Sequence, residues 1–178
     1  MTREYLFAGF GGQGLLFSGK VLAYKGLIEE KNVSWLPSYG PEMRGGTANC
    51  SVIVSDDPVG APIVLNPDVL VAMNVPSLDK FEAQVKPGGT ILVDSSLIER
   101  KVARDDVKVY YVPATKLAGE NGFPTLANMI LMGKLLDVFS EYDMEAVRAA
   151  LGKCVSARHA DLLELNFKAM EIGKEYQD

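Results

Sequence analysis

Short apolar runs alternate with longer stretches of helical spacing along most of the chain. Tyr5-Leu6-Phe7-Ala8 is the first run, and it breaks into glycines before apolar residues resume at Leu15. From Gln13 to Lys31, residues Leu15, Leu16, Val21, Leu22, Leu27 and Ile28 fall at mixed three- and four-residue spacings, which predicts a helix closed by polar Glu29-Glu30-Lys31-Asn32. Ser18, Gly19 and Ala23 are small enough to let that helix lie close to a sheet. Val33-Ser34-Trp35-Leu36 then reads as a second strand. Strand, glycine turn, helix and strand in this order predict a right-handed parallel crossover.

Ala48 to Ser55 alternates and then turns β-branched, a third strand, and Val59 to Leu65 is an edge segment broken by prolines. Asp68-Val69-Leu70-Val71-Ala72-Met73 and Thr90-Ile91-Leu92-Val93-Asp94-Ser95-Ser96 are continuous apolar runs of the kind buried on both faces of a parallel sheet. A short helix through Leu78, Phe81 and Val85 separates them, and Val107 to Val112 is the last strand. Pro124 suits the first position of a helix running to Phe139 that is apolar nearly all round. It is expected to lie against its own sheet on one side and another polypeptide on the other. Asp143 starts a short amphipathic helix, and Ser156 is expected to cap a terminal helix bearing Leu162, Leu163, Phe167, Met170 and Ile172. The blocks predict a single domain over residues 1–178. Its class is α/β, Rossmann-like, a mostly parallel sheet flanked by helices, with a helical C-terminal extension.

Composition narrows the partners. A net charge of −5 without a cluster of Lys and Arg argues against nucleic acid. The N-terminus lacks the regions of a signal peptide, so the chain reads as cytoplasmic. Asn128 and Lys134 interrupt the most apolar helix, which is also too short for a bilayer, so no membrane partner is expected. Cys50 and Cys154 stand far apart with no C-x-x-C spacing, and a zinc site or iron–sulfur cluster held by this chain alone is not expected. His159 is the single histidine, lies in a helical stretch and receives no catalytic role.

The candidate chemistry gathers at Gly9-Phe10-Gly11-Gly12-Gln13-Gly14. Gly9, Gly11 and Gly14 match the G-x-G-x-x-G dinucleotide fingerprint between a strand and a helix. Such a site also needs an acidic residue closing the second strand. Here that strand ends Trp35-Leu36-Pro37-Ser38-Tyr39, and Glu29 and Glu30 come too early. Lys86-Pro87-Gly88-Gly89 faintly suggests a methyltransferase, which has the same requirement. The loop of residues 37–47 carries Tyr39, Glu42, Met43 and Arg44 among glycines and prolines and is long enough to be functional. Asn74, Asp94 and Ser95, at strand ends, either line a crevice or cap the next segment of chain. By the residues alone this is an α/β domain whose glycine turn and arginine loop meet a ligand or a partner.

Gly9 to Gly14, the loop Ser38 to Gly46, the run Asn66 to Met73 and the stretch Pro124 to Leu131 together resemble the gamma subunit of 2-oxoacid:ferredoxin oxidoreductases, over almost the whole chain. The Gly-Phe-Gly-Gly-Gln-Gly form is most similar to that of the 2-oxoglutarate enzymes, with the pyruvate, ketoisovalerate and indolepyruvate enzymes close behind. The resemblance implies an assembled enzyme that oxidatively decarboxylates a 2-oxoacid to an acyl-CoA and reduces ferredoxin. It implies partners of alpha and beta type, with or without a delta subunit, which hold thiamine diphosphate, Mg and the iron–sulfur clusters, and no cofactor held by this chain alone. This chain would pack on the thiamine-binding core and help form the coenzyme A side. Gly9, Gly11, Gly12, Gln13, Gly14, Tyr39, Arg44, Gly45 and Gly46 are the expected binding residues, with no catalytic residue and no metal ligand. The apolar Pro124 helix makes a homodimer an expectation for the isolated chain. The competing readings are a free-standing NAD(P)- or flavin-dependent oxidoreductase and a purely structural subunit.

Overall fold

In the computed structural model, which describes residues 1–38 and 48–177, the most apolar runs become the middle of a six-stranded sheet. β1 (Thr2–Gly9), β4 (Val69–Ala72), β5 (Thr90–Asp94) and β6 (Lys108–Val112) lie side by side in parallel. On the other flank come β3 (Ala48–Ser55) and β2 (Asn32–Ser38), giving the order β2-β3-β1-β4-β5-β6. Every residue of β4 and β5 is buried, as their unbroken apolar sequences require.

The pleat divides the core in two. Tyr5, Phe7, Val69, Val71 and Leu92 face one side, and Leu6, Ala8, Leu70, Ala72, Ile91 and Val93 face the other. The first set meets α1 (Leu15–Ile28), α4 (Ala127–Val138), α5 (Met144–Cys154) and α6 (Ala160–Glu175). The second set packs on Leu78 and Phe81 of α2 (Val75–Phe81), while α3 (Ala114–Glu120) follows β6. Ser18, Gly19 and Ala23 are buried in α1, as their small size predicted.

Several expectations need correction or completion. The first unit is a crossover between parallel strands, as its pattern predicts, but its two strands are not neighbours, because β3 inserts between β1 and β2 and runs antiparallel to both. Two reversals leave β1 and β2 pointing the same way with a strand between them. The physical reason lies in the side chains: β3 is almost wholly buried, whereas β2 is half exposed and takes the edge. Pro124 does not open α4. It sits in a tight turn closed by the Leu126 N–H to the Phe123 carbonyl (3.0 Å), and α4 begins at Ala127. Ser156 caps only the single 3-10 turn Ala157–His159, accepting from the Arg158 N–H, and α6 starts after it. Asp143 does cap α5, accepting from the Glu145 and Ala146 N–H groups.

The outer face of α4 is covered by α6 of the same chain, not by a second polypeptide, which removes the reason for expecting a homodimer. Lys134, late in α4, donates to the Tyr176 carbonyl just past α6 (2.9 Å), and at the opposite ends Leu126 and Leu162 line one cavity. The two helices therefore run in the same direction. They touch backbone to backbone: a Cβ on Gly133 would strike the Met170 carbonyl, and one on Gly173 the Ile130 carbonyl. No helix among the described residues is long and apolar enough to cross a membrane.

Two glycine substitutions should therefore act in opposite directions. Gly133→Ala is expected to lower unfolding free energy by about 3 kcal/mol through overpacking. Gly119→Ala, in α3 with nothing within 4 Å of the added methyl, should raise it by about 0.5–1 kcal/mol through helix propensity. Urea denaturation of both variants checks the signs.

Candidate functional site

β1 ends at Gly9, and the chain turns over the top of the sheet through Phe10, Gly11 and Gly12, all three exposed. The turn is held by the side chain of Gln13. Its Oε1 accepts from the Phe10 N–H (2.6 Å), and its Nε2 donates to the Met73 carbonyl just past β4 (3.0 Å). One carboxamide thus closes the turn on itself and straps it to the neighbouring strand.

Gly14, the residue before α1, needs to be glycine twice over. Its φ is +77°, in the left-handed region. The space a Cβ would fill is occupied by the carboxamide of Asn128 from α4, which donates to the Gly14 carbonyl (3.1 Å) and to Ser18 Oγ (3.2 Å). Gly14 offers no side chain to cap α1, and the first turn of that helix carries no acidic residue. The partial positive charge of the first-turn N–H groups is left for an outside acceptor. A cavity of about 320 Å³ borders the turn, lined by Phe10, Gly11, Gly12, Leu16, Phe17 and Ala48 among others.

Gly9, Gly11, Gly12, Gln13 and Gly14 are thus brought together at one end of β1. Tyr39, Arg44, Gly45 and Gly46 lie outside the described residues. The residues that flank their loop are placed: Ser38 pairs with Asn49 and Ala48 pairs with Gly9, so Ala48 adjoins the glycine turn. For Asn74 and Asp94 the capping role is the one observed. Asn74 Oδ1 accepts from the Ser77 N–H at the start of α2 (2.8 Å). Asp94, fully buried, accepts from the Ser96 N–H (3.1 Å), the Thr115 N–H (3.3 Å) and Thr115 Oγ1 (2.6 Å). Ser95 is not part of that set; its N–H goes to the Val112 carbonyl.

The sheet order also bears on the dinucleotide reading. With β3 between them, the end of β2 stands two strand spacings from β1, about 9–10 Å, and it carries Ser38 where a ribose-binding acid would be required. Burial pushes the Cys50 thiol up to about 12 and the Cys154 thiol up to about 11, so neither is a nucleophile at neutral pH. His159 is exposed at the rim of a second cavity. Asn128 escaped the reading of the sequence, where it registers only as an interruption in an apolar helix. That interruption was itself the signal, since a carboxamide in a buried helix must be satisfied by something.

The family described as pyruvate ferredoxin/flavodoxin oxidoreductase matches residues 4–176. The 2-oxoglutarate synthase subunit KorC of Methanocaldococcus jannaschii is 34% identical over 180 residues, covering 98% of this chain and 96% of that protein. The ketoisovalerate oxidoreductase subunit VorA of Methanothermobacter thermautotrophicus is 40% identical over 170 residues, 95% of this chain. The chain spans about a third of that relative's length, 35%. Among solved structures, the gamma subunit of a keto/oxoacid ferredoxin oxidoreductase from Geobacter sulfurreducens superposes with a TM-score of 0.83 at 31% identity, over 97% of this chain and 96% of that one.

Replacing Gln13 by Glu keeps an acceptor for the Phe10 N–H but removes the donor to Met73 and sets a carboxylate against a carbonyl. The expected outcome is a loss of about 1–2 kcal/mol and faster amide hydrogen exchange confined to residues 10–14 and the end of β4, read by mass spectrometry.

Proposed function

The chain belongs to the pyruvate ferredoxin/flavodoxin oxidoreductase family, and on that premise we propose that it is the gamma subunit of a 2-oxoacid:ferredoxin oxidoreductase working in the cytoplasm. The assembled enzyme removes CO2 from a 2-oxoacid, passes the electrons to ferredoxin and joins the acyl group to coenzyme A. We assign 2-oxoglutarate as the substrate, because the similarity to a 2-oxoglutarate synthase subunit runs the length of both chains. The ketoisovalerate relative is matched over only part of its length.

Thiamine diphosphate with its Mg and the iron–sulfur clusters are assigned to partner subunits of alpha and beta type, with or without delta. The donor chemistry of this chain fits that division. Cys50 is buried beneath α1, Cys154 ends α5, and both are protonated thiols in separate places. Coenzyme A supplies the thiol that receives the acyl group. What this chain contributes to it is positioning.

The observation that carries the reading is the braced turn in front of an uncapped α1. Exposed backbone at Gly11 and Gly12, followed by the start of a 14-residue helix, suits a phosphate of coenzyme A, which can accept from several N–H groups at once. Arg44 belongs to the loop whose far end, Ala48, adjoins Gly9. Its planar fork would grip the same oxyanion bidentately. Tyr39, Gly45 and Gly46 complete the loop's share of the site. A carboxylate of a partner subunit is the alternative anion for the same groups.

The test separates the two. Arg44→Ala in the assembled enzyme is expected to weaken apparent coenzyme A affinity about tenfold or more while native mass spectrometry shows the complex intact. Loss of assembly at unchanged coenzyme A affinity would assign the arginine to the partner, and no change in either measurement would overturn the role. Tight NAD(H) or flavin binding by the isolated chain would overturn the subunit reading itself.

A further inference from the structure

The sheet ends at β2 with an open edge. Among the described residues nothing pairs with the outer side of this seven-residue strand, so alternate residues turn backbone groups outward with no strand to receive them. Protein edges of this kind are guarded by charged side chains or prolines. Here Asn32-Val33-Ser34-Trp35-Leu36-Pro37-Ser38 carries no charge, and Pro37 alone interrupts the row.

Beside the edge lies a groove. Val33 and Trp35 of β2 form one wall and Ala23, Tyr24 and Leu27 of α1 the other, around a cavity of about 240 Å³ that Lys20 also lines. The indole is tucked in by its nitrogen end, since a Cβ on Gly19 would meet both Trp35 Nε1 and Cys50 Sγ beneath α1. The rest of the ring stays open: Trp35 is 39% exposed and Leu27 54%. A Cβ on Gly26 would meet Val33 instead, so α1 and β2 run past each other and Lys20 stands at the Trp35 end of the groove. Lys25 of the same helix is paired with Glu29, whereas no carboxylate among the described residues pairs with Lys20.

We propose that β2 and this groove receive an extended segment of a partner subunit, which adds a seventh strand antiparallel to β2, sets one large apolar side chain between α1 and β2, and meets Lys20 with a carboxylate two residues earlier. This rests on the chain being a subunit of the assembled enzyme. Each feature of the segment answers a feature of the surface. A row of free backbone groups calls for another backbone, and antiparallel pairing is the more stable arrangement. The cavity exceeds the roughly 150 Å³ that holds a benzene ring, so an aromatic side chain fits it. Alternation puts residues i and i+2 on one face, about 7 Å apart, and an antiparallel segment enters from the Trp35 end, where Lys20 waits. A second copy of this chain would offer its own β2, which has no carboxylate for Lys20.

The probe is the peptide acetyl-Thr-Glu-Thr-Phe-Thr-Val-Thr-amide. Trp35 is the single tryptophan of the sequence and lines the groove, so its fluorescence reports occupancy directly. Titration into the isolated chain should give a saturable change with a dissociation constant below about 1 mM. Exchanging the peptide's glutamate for lysine should weaken binding about fivefold, and Lys20→Glu should reverse that preference. The first comparison uses the unaltered chain and holds even if the variant fails to fold. In the assembled enzyme, the outward amides of β2 should exchange with deuterium about tenfold more slowly than in the isolated chain. A peptide that does not bind, affinity blind to its charge, or an assembled enzyme whose β2 exchanges as freely as before would each overturn the proposal and leave the subunit reading intact. Protection of β2 that grows with the concentration of the isolated chain would assign the edge to a second copy and overturn it too. Failure to assemble with thiamine-binding subunits would overturn the subunit reading, and with it the source of the segment, whatever the peptide does.

Discussion

Backbone contact between α4 and α6 is the constraint on which the rest of the molecule depends. Gly133 and Gly173 let the two helices meet at their carbonyls, and that closeness is what encloses an α4 whose residues from Ala127 to Leu136 are all buried. An enclosed α4 in turn has a fixed axial position. Asn128, near its start, therefore arrives at Gly14 at a set height and holds the carbonyl from which α1 begins its hydrogen-bond ladder. The glycine turn is shaped from below by this contact and from the side by Gln13.

The sheet gives the same end of the molecule its chemical character. Placing an antiparallel strand beside β1 takes away the neighbour that a dinucleotide site would use for its acidic residue. In its place the strand pairing brings Ala48 against Gly9, and with it one end of the loop that bears Arg44. A fingerprint that ordinarily reads as NAD or flavin is thereby set in a different neighbourhood, one in which the described end of β2 carries Ser38 and no acid. The fold is that of its family, and the function follows from the site built on it.

Much of this was legible in the order of residues. The unbroken runs of β4 and β5 announced strands covered on both faces, the glycines announced the turn, and Asp143 announced the start of α5. Sheet order was not, because periodicity tells how a strand is buried and says nothing of which strand lies beside it. The crossover inferred from helix and strand alternation is present, and the antiparallel pairing of β3 with both of its strands sets them one strand apart. For α4, an apolar surface all round specified that something must cover it, and only the spacing of Gly133 and Gly173 on two helices reveals that the cover is intramolecular. Gln13 looked like a polar residue among glycines; its carboxamide bonds the Phe10 N–H within the turn and the Met73 carbonyl past β4. Asn128 was legible only in part: an amide in an apolar helix signals that it must be satisfied, and which groups satisfy it is known only once Gly14 and Ser18 are placed beside it.

The Gln13 strap has a consequence for the cost of association. A glycine-rich turn free in solution would sample many backbone states, and a ligand closing on it would have to offset that lost freedom with its own contacts. Here the ordering is completed during folding, by bonds to Met73 and by Asn128 at Gly14. The amides thus stand preorganised, and for the anion proposed to bind there discrimination would be a matter of shape: an oxyanion that does not match their fixed spacing would meet a surface that does not adjust to it.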